Sequence, residues 1–187
     1  MQIKLIILDF DGTLASTADA HTKAYLLALQ EEGIILDAEE YKRKYFGVRC
    51  SEFLRAIGIE DEEDRDRVRR RKIDLYPTLF DNNVALNEPL WNFAQDFRKQ
   101  GGKVWIVSTG QIENISNAMR YLGIEGRVDG ILTSEDVVEP KPSPEAFLKA
   151  MEIEGVTPAE TLIFEDSPVG IEAAEASGAA YFKVELS

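Results

Sequence analysis

Two aspartates that directly follow an apolar run are the clearest chemical feature of this chain. The run Leu5–Leu8 leads into Asp9, Phe10 and Asp11, and Gly12 comes next. Such a run predicts a strand buried on both faces, which places Asp9 at its carboxyl end, where open α/β sheets bind their ligands. In extended backbone the two carboxylates point the same way and can address one metal or one substrate. Because Asp-Gly also occurs in hairpin turns, the pair alone leaves a structural turn open.

A calcium loop of the EF-hand type also opens with Asp-x-Asp. Such a loop would need a bidentate glutamate where this chain has Ala20, and a helix rather than an apolar strand should precede it. The calcium interpretation therefore fails, and the role of the two acids depends on which groups the fold brings beside them.

The composition indicates an ordinary globular protein with an acidic surface. The chain has 187 residues, of which 44% are hydrophobic, and its formal net charge is -13. A charge of this sign argues against a nucleic-acid partner and against an anionic membrane surface, since both need basic footprints. An anionic substrate would have to be captured by local cations, and we expect a monomer.

Cysteine and histidine are too scarce for several kinds of site. The single cysteine, Cys50, excludes an internal disulfide, and Asp9 interrupts the only candidate for a signal-peptide core, so we expect a cytoplasmic protein. The single histidine, His21, excludes a zinc site with several histidines, and a Ser-His-Asp triad would have to use that one residue. Carboxylates must therefore carry most of the chemistry.

The order of the predicted elements indicates an α/β parallel-sheet core with an all-helical insertion. After the first strand, residues 16–83 have helical patterns only, and the almost wholly charged run from Glu60 to Lys72 predicts a helix with a solvated face. From residue 84 onward, helices and strands alternate, as in βα units. We therefore predict a core of residues 1–15 and 84–187 and a helical cap of residues 16–83, which leaves the core beside the two acids and hangs over them as a lid.

Further polar groups follow later predicted strands. They are Ser108 with Thr109, then Lys141, then Glu165 with Asp166. If all strands end on the same side of the sheet, these groups converge with Asp9 and Asp11 into a site suited to phosphoryl transfer, with carboxylates for Mg²⁺ and a hydroxyl and a lysine for phosphate oxygens. Taken singly, Ser108 and the Glu165-Asp166 pair could instead cap helices, and Lys141 could be a solvated loop residue.

The motifs that carry these residues resemble those of the haloacid dehalogenase-like hydrolases, in the right order and almost from end to end. The matching segments are Asp9-Phe10-Asp11-Gly12-Thr13-Leu14, Val107-Ser108-Thr109, Lys141-Pro142, and Phe164-Glu165-Asp166-Ser167 with Gly170-Ile171. The helical insertion is similar to the small cap of the phosphoglucomutase-like subgroup. The resemblance implies a Rossmann-like core of three layers, α/β/α.

The resemblance also implies a role for each acid. Asp9 would be the nucleophile that forms an aspartyl-phosphate, and Asp11 would be the general acid and then the general base. Asp11 separates phosphatases and phosphomutases from the dehalogenases, which lack a carboxylate there.

The remaining site residues are implied by their motifs. Mg²⁺ would be held by the Asp9 carboxylate, the Asp11 carbonyl and Asp166. Glu165 would contact these ligands without binding the ion directly. Ser108, Thr109 and Lys141 would hold phosphoryl oxygens.

Two segments depart from the family pattern. Ser16-Thr17 stands where relatives commonly have Asp-Ser, and Phe46 stands where sugar-phosphate mutases tend to carry a lysine, which weakens a mutase interpretation. Arg49 in the same cap segment either faces substrate or is a surface charge, and we expect His21 to pack beside Tyr25 rather than to act in catalysis.

These observations predict a Mg²⁺-dependent phosphatase that hydrolyses a small phosphate monoester, such as a sugar phosphate, through an aspartyl-phosphate. The alternative is a phosphomutase of the β-phosphoglucomutase type. A phospho-accepting receiver domain is disfavoured because its accepting aspartate follows a later strand, and an idle interaction protein is disfavoured by the intact motifs.

Overall fold

The central sheet has five parallel strands and places the first of them in its middle. A computed structural model describes residues 2–186. The strands are β1 (Leu5–Leu8), β4 (Lys103–Val107), β5 (Gly130–Leu132), β6 (Thr161–Glu165) and β7 (Ala180–Lys183). Their order across the sheet is β5-β4-β1-β6-β7. The predicted α/β class is confirmed.

Strand β1 is apolar throughout because both faces of the sheet are covered. Ile6 and Leu8 pack into one hydrophobic cluster, and Leu5 and Ile7 into another on the opposite face. Alternate side chains of a strand point to opposite faces, so a strand buried on both sides needs apolar residues at every position.

Residues 2–186 form eight helices, which surround and extend the sheet. Their bounds are α1 (Ala18–Glu31), α2 (Ala38–Lys44), α3 (Cys50–Ala56), α4 (Glu62–Leu75), α5 (Glu88–Lys99), α6 (Ile112–Tyr121), α7 (Glu145–Glu154) and α8 (Pro168–Ser177). Short 3-10 turns follow α4 and precede β6, at Tyr76–Leu79 and Pro158–Glu160. Within residues 2–186, no helix combines the length and the apolar character needed to cross a bilayer.

Helices α1 to α4 share a hydrophobic cluster of their own. The centroid of the Phe53 ring lies 5.1 Å from the Tyr25 centroid and 5.2 Å from the Tyr41 centroid. Leu54 is buried in the same cluster. The segment begins and ends near an antiparallel ribbon, β2 (Ala15–Ser16) paired with β3 (Ala85–Leu86). Division of the chain into a core and a cap at these positions stays a prediction.

The charged helix α4 is not solvated along its whole length. Val68 and Lys72 are buried, and Leu75 packs against the clusters next to them. These positions are separated by four and three residues, so they share the inward face of the helix. The prediction of a solvated face was wrong for Lys72, because a charge pattern shows neither the helix rotation nor the side chains that cover it.

We expect Leu54→Ala to reduce the free energy of unfolding by about 2–5 kcal/mol, because it leaves a cavity in a fully buried cluster. Leu27→Ala is the matched control, since Leu27 is 41% exposed on α1 and should lose about 1 kcal/mol or less. Urea denaturation followed by circular dichroism measures both values. Equal losses for the two variants would contradict the packing described here.

Candidate active site

The carboxyl ends of the central strands bring the predicted residues to one edge of the sheet. Leu8 pairs with Ile106 of β4 and Phe164 of β6, so the residues that follow these strands are neighbours. Asp9 directly follows β1, and its backbone N–H donates to the carbonyl of Phe164 over 3.0 Å. The predicted convergence at this edge follows from the register of a parallel sheet.

Lys141 is the central cation of this edge, and its side chain is buried. Its Nζ lies 2.7 Å from Asp9 Oδ1 and 2.6 Å from Glu165 Oε2, and it donates to the Val107 carbonyl over 3.1 Å. Burial alone would lower the pKa of this lysine, but Asp9 and Glu165 outweigh it and raise the pKa. Lys141 is therefore charged and held in place, and the alternative of a solvated loop lysine was wrong.

Glu165 is fixed by the start of helix α8. Its Oε1 accepts hydrogen bonds from the backbone N–H groups of Asp166 and Ser167, both at 3.1 Å, and from the Ser167 hydroxyl at 2.9 Å. A Cβ added at Gly170 would lie 2.0 Å from the Glu165 carboxyl carbon. Only glycine at position 170 lets the carboxylate occupy this position and hold Lys141.

Asp9, Glu165 and Asp166 form an acidic cluster suited to a hard cation. One carboxylate oxygen from each lies within 4.8 Å of the others. Glu165 already uses both oxygens, whereas Oδ2 of Asp9 and Oδ2 of Asp166 accept no hydrogen bond from any of residues 2–186. Free carboxylate oxygens are the ligands that Mg²⁺ prefers, so the donor set fits this ion.

Electrostatics at Asp9 also favour a cation. Burial and the nearby Glu165 raise the pKa of Asp9 well above its usual value, and Lys141 opposes this only in part. Burial and Glu165 likewise raise the pKa of Asp166, although the Thr13 hydroxyl donates to its Oδ1 over 2.9 Å. An added positive charge would keep both carboxylates ionised.

Asp11 lies on the other side of the site and has its own partners. Its Oδ1 accepts a hydrogen bond from the Thr17 hydroxyl over 2.5 Å and lies 3.1 Å from His21 Nε2. His21 stacks on the Tyr76 ring with 4.2 Å between centroids. The expectation that His21 packs beside Tyr25 rather than acting in catalysis did not include this contact with Asp11, because only the tertiary structure brings α1 over the first motif.

The contact between Asp11 and His21 affects the pKa of both side chains. Burial raises the pKa of Asp11, but His21 and Thr17 outweigh it, so the net pKa is lowered. Burial and the nearby Lys72 lower the pKa of His21. A neutral His21 can donate from Nε2 to the ionised Asp11.

Ser108 and Gly110 lie just beyond the end of β4, at the same edge of the sheet. The Ser108 hydroxyl oxygen accepts from the Gly110 backbone N–H over 2.9 Å. A Cβ at Gly110 would lie 3.2 Å from Ser108 Oγ and 3.3 Å from Asp11 Oδ2, so the glycine keeps space between them. Helix α6 has Gln111 as its N-cap, without a side-chain cap hydrogen bond, so the alternative that Ser108 caps it was wrong.

A cavity of about 550 Å³ lies between this edge of the sheet and helices α1 to α4. Its lining includes Asp9, Asp11, Ser108, Thr109 and Lys141 from the sheet edge, and Phe46, Arg49, Arg69 and Lys72 from the helical segment. Arg49 donates to the Ser134 carbonyl over 3.3 Å across the cavity. Arg49 therefore lines the cavity, and its contact with substrate stays a prediction.

Lys72 is the cavity residue that sequence reasoning missed. Burial lowers the pKa of this lysine to about 7. The spacing of Val68, Lys72 and Leu75 was the available signal, because it puts the lysine on the apolar stripe of an otherwise charged helix.

Comparison with known proteins places this site in a family. The family model for haloacid dehalogenase-like hydrolases matches residues 6–184. A phosphorylated carbohydrates phosphatase from Thermotoga maritima is 29% identical over 94% of this chain and 82% of its own length. A fructose-1-phosphate phosphatase from Escherichia coli is 27% identical over 92% of each chain.

A solved structure of a β-phosphoglucomutase from Clostridium difficile superposes with a TM-score of 0.80 at 25% identity, over 96% of this chain and 83% of that one. The chain belongs to the haloacid dehalogenase-like hydrolases, and its class of activity is phosphoric monoester hydrolysis.

We expect Gly170→Ala to lower kcat/KM by about 10- to 100-fold, because the added methyl group displaces the Glu165 carboxylate and loosens Lys141. Glu172→Ala, on the exposed face of the same helix, is the control. Steady-state kinetics with an aryl phosphate measures the effect. Unchanged kinetics in Gly170→Ala would show that catalysis does not require the Glu165 carboxylate at this position.

We expect Lys72→Met to be more stable than the unchanged protein at pH 6, by an amount that shrinks towards pH 9. The unfolded chain keeps Lys72 protonated up to its ordinary pKa of 10.5, while the folded protein releases the proton near pH 7. Between these values the unfolded state binds more protons, so rising pH stabilises the lysine-containing protein, on the order of 2 kcal/mol by pH 9. Urea denaturation at both pH values measures this, and Arg70→Met should show no such trend.

Proposed function

We propose that this protein is a Mg²⁺-dependent phosphatase for a small phosphate monoester, with a sugar phosphate as the favoured substrate. The observation that carries the proposal is the position of Lys141 between Asp9 and Glu165, with Asp166 and Asp11 on either side of the same edge. This arrangement offers a nucleophile, a proton carrier, a cation site and a fixed positive charge for phosphate oxygens.

In the proposed first step, an Asp9 carboxylate oxygen attacks phosphorus and the bond from phosphorus to the ester oxygen breaks. Asp11 gives its proton to the departing oxygen, which leaves as an alcohol. In the second step, Asp11 takes a proton from water as the water oxygen attacks the phosphorus of the aspartyl-phosphate. Inorganic phosphate leaves, and Asp9 is restored as a carboxylate.

Asp11 must be protonated for the first step, although its pKa is lowered in the substrate-free protein. A phosphate dianion beside Asp11 would raise this pKa through repulsion between like charges. Lys141 and the Ser108 hydroxyl would bind the phosphate oxygens. Mg²⁺, held by Asp9, Asp166 and the Asp11 carbonyl, would supply further positive charge against the phosphate.

The names of two relatives support a sugar phosphate as substrate, since they act on phosphorylated carbohydrates and on fructose 1-phosphate. The similarity to a β-phosphoglucomutase keeps a mutase as the competing function. The two differ in the acceptor of the phosphoryl group, which is water in a phosphatase and the sugar in a mutase.

We expect the protein to release inorganic phosphate from sugar phosphates only with Mg²⁺, and Asp9→Asn to reduce the rate about a thousandfold or more, because the amide is a poor nucleophile. Asp96→Asn is the matched control, since Asp96 is exposed on α5. A phosphate-release assay on a panel of hexose phosphates measures both, with isomers followed in parallel. Full activity in Asp9→Asn would refute the mechanism, and isomerised sugar without free phosphate would establish a mutase.

A further inference from the structure

Strand β7 lies at one border of the sheet, and within residues 2–186 no strand pairs with its outer edge. The backbone N–H of Val184 donates inward to the carbonyl of Glu165 over 2.8 Å, so the ladder with β6 continues to this residue. Successive residues of a strand direct their N–H and C=O groups to opposite sides, so those of Lys183 and Glu185 face outward. The border therefore offers main-chain donors and acceptors to another strand.

One face of this border is apolar and open. Phe182 is 59% exposed, and its ring stacks on that of Phe164 with 5.6 Å between centroids. Phe93 of α5 is 50% exposed, and its ring centroid lies 5.9 Å from that of Phe164. Val184 packs beside the same cluster, and Leu186 is 37% exposed. Continuous apolar surface of this kind beside an open strand edge is typical of a protein interface.

The segment Phe182–Leu186 alternates apolar and charged residues. Phe182, Val184 and Leu186 are apolar, and Lys183 and Glu185 between them carry opposite charges. The Lys183 Nζ lies 2.9 Å from Glu185 Oε1, so these two side chains share one face, as residues two apart do in extended backbone. The segment thus has an apolar face and a charged face that is neutral in sum.

This pattern is complementary to a second copy of itself. If two copies run antiparallel about a two-fold axis at Val184, Phe182 of each faces Leu186 of the other, and Lys183 of each faces Glu185 of the other. An axis at Lys183 or at Glu185 would instead set like charges opposite each other, which destabilises a strand pair. The side chains therefore select the axis at Val184.

The hydrogen-bonding directions of the backbone select the same axis. Directly opposite residues of an antiparallel pair alternate between hydrogen-bonded and non-hydrogen-bonded pairs. With the axis at Val184, the outward groups of Lys183 and Glu185 meet as hydrogen-bonded pairs, and Val184, which bonds inward to Glu165, forms the non-hydrogen-bonded pair. Two independent features of the segment thus fit one arrangement.

Charge elsewhere in the chain does not favour association. The net charge of -13 makes two copies repel each other, and a lysine on an edge strand is a common protection against pairing. In this segment, however, Glu185 supplies the partner that Lys183 of a second copy needs. The local complementarity is specific to another copy of the same sequence.

We propose that two copies of this chain associate through β7, so that their sheets join across a two-fold axis at Val184 and the open aromatic faces cover one another. This inference does not depend on the proposed chemistry, and none of the residues that line the active-site cavity belongs to β7. It differs from the expectation of a monomer, because the sequence alone did not show that this edge is open.

Sedimentation equilibrium tests the association. The mass of the unchanged protein should approach twice the 21.0 kDa of one chain as its concentration rises. Lys183→Glu sets two pairs of like charges opposite each other, so the dissociation constant should rise about tenfold or more. Lys44→Glu is the matched control, because Lys44 is an exposed lysine of α2 paired with Glu40, and it should leave the constant unchanged.

A charge exchange separates a lost interface from a damaged fold. Lys183→Glu combined with Glu185→Lys restores opposite charges across the axis and should restore association, and circular dichroism should be the same for all variants. A protein that stays monomeric up to the millimolar range would overturn the inference and leave the aromatic face to a different partner. A dimer that Lys183→Glu does not weaken would overturn it as well.

Disulfide cross-linking tests the position of the axis. Opposite residues of a non-hydrogen-bonded pair have Cα atoms about 4.5 Å apart, which a disulfide can bridge. Val184→Cys should therefore form linked dimers when oxidised with copper phenanthroline, whereas Phe182→Cys should not, since the two copies of residue 182 are displaced by about 13 Å along the strands. The unchanged protein, with Cys50 alone, gives the baseline. Linkage through residue 182, or none through residue 184, would contradict the proposed axis.

Discussion

The ion pairs of Lys141 with Asp9 and Glu165 are the interaction on which the rest of the site depends. A buried ammonium between two buried carboxylates leaves one carboxylate in excess, and the neighbouring Asp166 adds a second. The excess makes the edge of the sheet a place for a divalent cation. The pairs exist only because Glu165 is held by backbone N–H groups at the start of α8 and because Gly170 leaves space for it.

The charged side chains on the two walls of the cavity have different surroundings. At the sheet edge, each buried charge has direct partners, so the positions of Asp9, Lys141 and Glu165 are determined before substrate arrives. On the helical wall, the Lys72 ammonium lies against the Tyr25 and Tyr76 rings and donates no hydrogen bond to any of residues 2–186.

Local patterns were enough to predict most of the sheet. A continuous apolar run such as Leu5–Leu8 is typical of a strand buried on both faces, so the central strand could be predicted from the sequence. The polar residues that follow these strands were then placed together by the geometry of parallel sheets alone. The buried face of helix α4 was not predicted, because most of its residues are charged. This face carries Val68 and Lys72.

The sequence by itself determined which residues follow the central strands, because the direction of each strand fixes where the next residue lies. Asp9, Ser108 and Asp166 directly follow β1, β4 and β6, whereas Lys141 lies well beyond the end of β5 and was placed at this edge by the resemblance of its motif. Only the tertiary structure decided the surroundings of His21 and Lys72, which lie on helices α1 and α4. The rotation and docking of a helix depend on packing between distant parts of the chain, and no local pattern reports which side chain will meet Asp11 or line the cavity.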